Sequence, residues 1–159
     1  MRTLLHPASK SRTLADLSLL VSRVALGVIL VAHGWQKLNE YTVTGTAASF
    51  EEMGVPAPTA AATFATAVEL VGGAALILGL LTPVVAVLAA LNLLGALVLV
   101  HAGNGVFVEN GGYELVLALI AGLVVIAMLG AGKLSVDGLI GRRYTARDSA
   151  SGHNARATA

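Results

Sequence analysis

Residues 67–101 read AVELVGGAALILGLLTPVVAVLAALNLLGALVLVH. With the alanine-rich residues before it, the apolar run extends over 60–102. That is too long for one bilayer crossing, which takes roughly 20 residues of α-helix. The stretch GLLTPV, 79–84, divides it. Pro83 has no backbone N–H to offer and suits the first turn of a new helix, whereas Gly79 suits the end of the preceding one. The run therefore reads as a tight helical hairpin with spans near 60–81 and 83–102.

Composition points the same way. The chain has 159 residues, 56% hydrophobic and 12% charged, with a mean hydropathy of +0.81. Average soluble domains carry roughly 25% charged residues. A single domain of this size cannot hide so much apolar surface from water, so lipid must cover part of it. There is no cysteine, which excludes disulfide exchange, thiolate ligation and persulfide carriage by this chain. Aromatic residues make up 4% and form no basic-aromatic surface of the kind that binds nucleic acid.

Working outward, a first span covers about 14–36 after a polar, basic segment, 1–13. No small-residue cleavage site follows it, since AHG runs on into Trp35 and Gln36, so it reads as a retained span. Residues 39–59 form a polar loop punctuated by Gly45, Gly54, Pro56 and Pro58. Within it a short interfacial helix is expected, with Phe50 and Met53 dipping towards lipid. AGNGVFVENGG, 102–112, is a turn-rich loop, and a fourth span covers about 113–130. The fold class is thus an all-α, four-helix polytopic membrane bundle spanning 14–138. The small, polar and basic tail, 139–159, is expected to be disordered.

The basic residues orient the bundle. Arg2, Lys10 and Arg12 precede the first span; Lys133, Arg142, Arg143, Arg147 and Arg156 follow the fourth. Between Leu38 and Gly132 there is no lysine or arginine, and the loops there carry Glu40, Glu51, Glu52 and Glu109. The positive-inside rule puts both termini in the cytoplasm and both polar loops outside. Trp35, Tyr41 and Tyr113 then form an aromatic belt at the outer interface.

This topology gathers the polar residues into layers. His33, Gln36 and Lys37, spaced i, i+3, i+4 on one helix face, share a depth with His101, Asn104 and Glu114. His33, Gln36, His101 and Glu114 are expected to line one outer pocket, with Lys37 at its rim as a snorkelling anchor. No comparable cluster is expected at the inner end. Deeper lie Arg23, Glu69 and Asn92, whose counted depths differ by only ~4 Å. Arg23 and Glu69 are expected to pair there, with help from Asn92. Such a pair clamps two helices or serves a proton or ligand site; intramembrane charge costs roughly 2.5–3.5 kcal/mol on insertion scales and points to function by default. The glycines at 27, 34, 72, 73 and 79 are expected to let helices approach closely.

Taken together, Arg23-x3-Gly27, HGWQK at 33–37, ELVGG at 69–73, GLLTP at 79–83, His101 followed by GNG at 103–105, and GGYE at 111–114 resemble the DoxX family. The likeness covers about 14–138. It implies a small bacterial protein of the inner or plasma membrane, related to the DoxD-type subunit of thiosulfate:quinone oxidoreductase. It implies an accessory subunit of a membrane oxidoreductase system, with protein partners in a redox complex. A homo-oligomer is equally compatible. A partner must carry any sulfur, because no cysteine here does so. Quinone is the cofactor expected at the outer polar cluster. The alternatives are direct quinone reduction there, bis-histidine haem or metal ligation by His33 and His101, and a structural or transport role without redox chemistry.

Overall fold

The computed structural model describes residues 11–143, so the segment 1–10 and most of the tail, 144–159, lie outside the described residues. The described chain is helical without a strand. Helix α1 is Arg12–Glu40, α3 is Pro58–Leu78 and α4 is Thr82–Asn104. The short α2 (Thr42–Glu52) follows α1, α5 (Glu114–Leu129) follows the second loop, and α6 covers 136–143. α1, α3, α4 and α5 form the bundle, in which α3 lies along α1 and α5 along α4, while α2 packs on the start of α3.

Among the described residues α1, α3 and α4 are long and apolar enough to cross a membrane. α5 has 16 residues, or ~24 Å of helix at 1.5 Å per residue, and is shorter than the ~30 Å hydrocarbon core. The chain is an all-α polytopic membrane protein. Its core is small, built on Leu30, Leu76, Ala86, Leu93, Leu123 and Ile126. Most remaining apolar side chains point outward; Val71 is 71% exposed and Met128 81%. In water such faces would aggregate, and in a bilayer they meet lipid.

The ends of the helices explain the sequence signals. Ser11 caps α1 by accepting from the Leu14 N–H. At the end of α3, Gly79 takes φ +70°, its N–H reaching Leu76 O and the Leu80 N–H reaching Ala75 O. This is a Schellman ending, which needs a residue without Cβ strain. Pro83 sits in the first turn of α4, so the hairpin is divided at GLLTPV as the residue types demand. Its turn carries Leu81 at φ +48°. A distant residue supports that strained position: the carboxylate of Asp137 accepts from the N–H groups of Leu81 and Thr82, each at 2.8 Å. A carboxylate there also meets the positive end of the α4 dipole.

Small residues set the α1–α3 distance. A Cβ on Gly27 would stand 2.6 Å from Gly73 O, one on Gly73 2.8 Å from Gly27 O, and one on Gly34 2.8 Å from Leu70 N. These contacts lock an antiparallel register that places 27 against 73 and 34 against 69–70.

Three expectations are corrected here. Arg23 does not pair with Glu69. Its guanidinium donates to Leu76 O and Ile77 O at the end of α3 and to Leu134 O. Ile77 lies eight residues beyond Glu69, or ~12 Å along a helix. Counting depth from assumed helix starts placed the two groups together, whereas the glycine register separates them. The end expected to be the inner one, secondly, does hold a polar cluster. Besides Arg23 and Asp137, Asp16 accepts from the Lys133 N–H at 2.9 Å, and Arg142 donates to Lys133 O. Thirdly, residues 139–143, read as disordered, belong to α6. Ser135 starts that helix, its hydroxyl accepting from the Gly138 N–H, and Asp137 N–H binds Gly79 O. Tertiary ties thus order a segment whose composition alone would not.

Candidate functional site

Three of the bundle helices contain a π turn, in α1 as its last turn. The turns are Gln36–Glu40 in α1, Val68–Gly72 in α3 and Leu97–His101 in α4. Lys37, Glu69 and His101 each lie in one of them. A π turn holds one extra residue and so rotates the face beyond it by about 100°. The three side chains come together around the same two cavities.

There Lys37 Nζ meets Glu69 Oε2 at 2.7 Å, an ion pair whose side chains are 19% and 5% exposed. Asn92 Nδ2 approaches the other carboxylate oxygen at 3.5 Å. Gly34 permits the pair. Its missing side chain lets α1 lie against Leu70 and the Cβ of Glu69, and Lys37, one turn further on, reaches across. The closeness and charge of this contact make it a strong one.

Two cavities flank the pair. The larger, of about 300 Å³, lies between α3 and α4 under α2 and is bounded by Lys37, Glu69, Asn92 and His101 together with apolar residues. Phe64, Leu91 and Leu99 on its rim are 52%, 58% and 46% exposed, so it opens sideways between α3 and α4. A Cβ on Gly95 would meet nothing within 4 Å there. The smaller cavity, of about 180 Å³, lies beneath the 105–113 loop and is lined by Lys37, Glu69, His33, His101, Val108 and Gly112 among others.

The histidines are each held by a backbone carbonyl. His101 Nδ1 lies 2.6 Å from Gly111 O and His33 Nδ1 lies 2.9 Å from Ile29 O. A carbonyl only accepts, so each Nδ1 is the donating nitrogen of its ring, and Nε2 is the nitrogen left for other partners. Among the described residues no three histidine or carboxylate side chains are grouped to hold a metal ion.

The remaining residues of the expected outer pocket have other tasks. Gln36 donates to Glu40 at 3.3 Å along its own helix and borders neither cavity. Glu114 turns into the loop and accepts from the Val108 N–H at 2.8 Å. Asn104 bonds Val100 O and Gly111 O. Glu114 and Asn104 therefore frame the 105–113 loop and lie outside the cavities. Lys37, expected at the rim, occupies the centre. Counting along the chain also missed Phe50, Val55 and Phe64, which wall the larger cavity. Only the spacing of Gly27, Gly34 and Gly73 carried a signal for the true register.

Comparison with known proteins places these features in a group. The profile of the DoxX family matches residues 18–102, more than half of the chain. Over 133 residues the chain is 28% identical to the inner membrane protein YqjF of Escherichia coli, covering 84% of this chain and 99% of that one. It is 31% identical to an uncharacterised membrane protein of Mycobacterium tuberculosis over 142 residues, covering 81% and 85%. To CatD of Bacillus subtilis, provisionally named an oxidoreductase, it is 32% identical over 122 residues, covering 77% and 86%. No solved structure matches the chain.

Proposed function

The chain belongs to the DoxX family, and we propose that it is the membrane-embedded subunit of an oxidoreductase system, holding a quinone at the Lys37–Glu69 pair. The observation that carries this reading is a buried carboxylate with a half-buried ammonium partner, bordering an apolar chamber that opens sideways between two helices. Its volume of about 300 Å³ is at the lower end of ligand cavities, enough for a head group whose tail leaves through the opening. A bound quinone supplies two-electron, two-proton chemistry. The side chains fit its polar ends: the Lys37 ammonium and the Asn92 amide donate to carbonyl oxygens, and Glu69 accepts from a hydroxyl. His101 adds an acceptor at Nε2. Phe64, Leu91 and Leu99 exclude water from the lipid side. With no cysteine in the chain, electrons and any sulfur come from a partner protein. The provisional oxidoreductase name of the Bacillus relative supports this assignment.

The test uses Trp35, the single tryptophan, two residues from Lys37. In lipid nanodiscs a short-chain benzoquinone should quench its fluorescence saturably. Gly95→Phe grows into the open chamber and should weaken that binding about tenfold or more, the usual scale for blocking a pocket with bulk, with an unchanged melting temperature. Identical, non-saturating quenching in both proteins would remove the reading.

We also infer that both termini face the cytoplasm of a cell whose inner or plasma membrane holds the bundle. The chain has no cysteine of its own, so introduced ones report alone. Ser49→Cys and Asn110→Cys should react with an impermeant maleimide in intact cells and Ser149→Cys should not. Labelling of Ser149→Cys would invert the topology and move the 105–113 loop to the cytoplasm.

A further inference from the structure

The two cavities share Lys37, Glu69 and His101. The ion pair is therefore the wall between them, and Glu69 can be reached from both sides. The sides differ in chemistry. Away from the pair, the larger chamber is bounded by Phe50, Phe64, Leu91 and Leu99 and opens between α3 and α4; those apolar side chains carry no proton donor. The smaller one lies under the 105–113 loop and is lined by the two histidines, each bonded through Nδ1 to a backbone carbonyl. His33 is exposed and touches only this second chamber. Its about 180 Å³ has room for several waters, with the pair and both rings as polar partners. The loop above it is held by Glu114 to Val108 N–H, by Asn104 to Gly111 O and by His101 to Gly111 O.

We propose that the smaller chamber is the proton path to Glu69, with His33 as its relay residue; this rests on the reading of the larger chamber as the quinone site. The need for such a path follows from the pair itself. When a ligand carbonyl draws the Lys37 ammonium away from Glu69, the carboxylate loses its closest counter-charge and keeps the Asn92 amide at 3.5 Å. An unpaired buried charge is costly, and an O–H bond formed on Glu69 removes it. The proton comes from the aqueous buffer, one for each ligand bound. It passes from water to His33 Nε2, onward to water or His101 Nε2 within the chamber, and then to the carboxylate. His33, outside the ligand chamber, sets how fast the proton arrives and leaves the affinity alone.

The experiment measures both quantities at once. Nanodisc protein is mixed with a short-chain benzoquinone in weak buffer, with Trp35 quenching reporting binding and a pH indicator dye reporting proton uptake. Wild type should take up about one proton per ligand, as a single carboxylate requires. His33→Ala should bind with unchanged affinity and take up its proton about 100-fold more slowly, the scale of a lost acid–base group. Added imidazole should restore the rate. Leu115→Trp, which fills the smaller chamber from α5, should slow uptake likewise and serves if His33→Ala does not fold. Uptake as fast as wild type in either folded variant overturns the path. Binding with no proton uptake overturns it too and leaves the quinone site standing. Absence of saturable binding overturns the site and the path together.

Discussion

Replacing Lys37 by methionine is expected to lower the stability of the bundle by about 3–5 kcal/mol, the cost of stranding a buried charge. Glu69 is 4% exposed and has its ammonium partner at 2.7 Å; without Lys37 it keeps only the 3.5 Å contact to Asn92. Glu69→Leu should be damaging in the same way, since it removes the one carboxylate that the Lys37 ammonium meets. Lys37→Met combined with Glu69→Leu should recover a large part of the loss, because no charge is then left behind. The comparison is a double-mutant cycle of unfolding in mixed detergent, with a control cycle on Arg23→Met and Glu69→Leu. Arg23 binds the end of α3 and Leu134, so those two changes should add within about 0.5 kcal/mol, as separated sites do. Additivity at Lys37–Glu69, or strong coupling at Arg23–Glu69, would refute the assignment of partners.

Gly27→Val and Gly73→Val are each expected to abolish the folded bundle. A side chain at either position meets backbone of the facing helix, Gly73 O at 2.6 Å or Gly27 O at 2.8 Å, and backbone cannot swing aside as a flexible side chain can. Overpacking in cores costs typically about 1–3 kcal/mol and more where nothing yields. Here the consequence is amplified, because separating α1 from α3 also pulls Lys37 away from Glu69. Gly95→Val is the matched control: the same substitution into open space should leave melting unchanged. Yield of monodisperse protein after gel filtration and its melting temperature decide the matter. Stable, monodisperse Gly27→Val protein would mean that α1 and α3 are not held by this contact.

The sequence by itself determined the bundle helices, their apolar character and the division at GLLTPV. Those properties are local. They follow from runs of apolar side chains, from the missing N–H of Pro83 and from the tolerance of Gly79 for a left-handed backbone. It also held the depth of each polar residue, because helical rise is constant, to within the error of where a helix starts. That error was enough to pair Arg23 with Glu69, and only the tertiary structure separated them. Depth says nothing of direction around a helix axis, and Lys37, Glu69 and His101 each lie in a π turn, where the α-helical count of faces no longer holds. Which cation meets the buried carboxylate, and which outer polar residues frame a loop instead of a cavity, therefore depends on contacts between helices. The register of those contacts is set where Gly27, Gly34 and Gly73 allow two backbones to touch, and it becomes definite once the helices have packed.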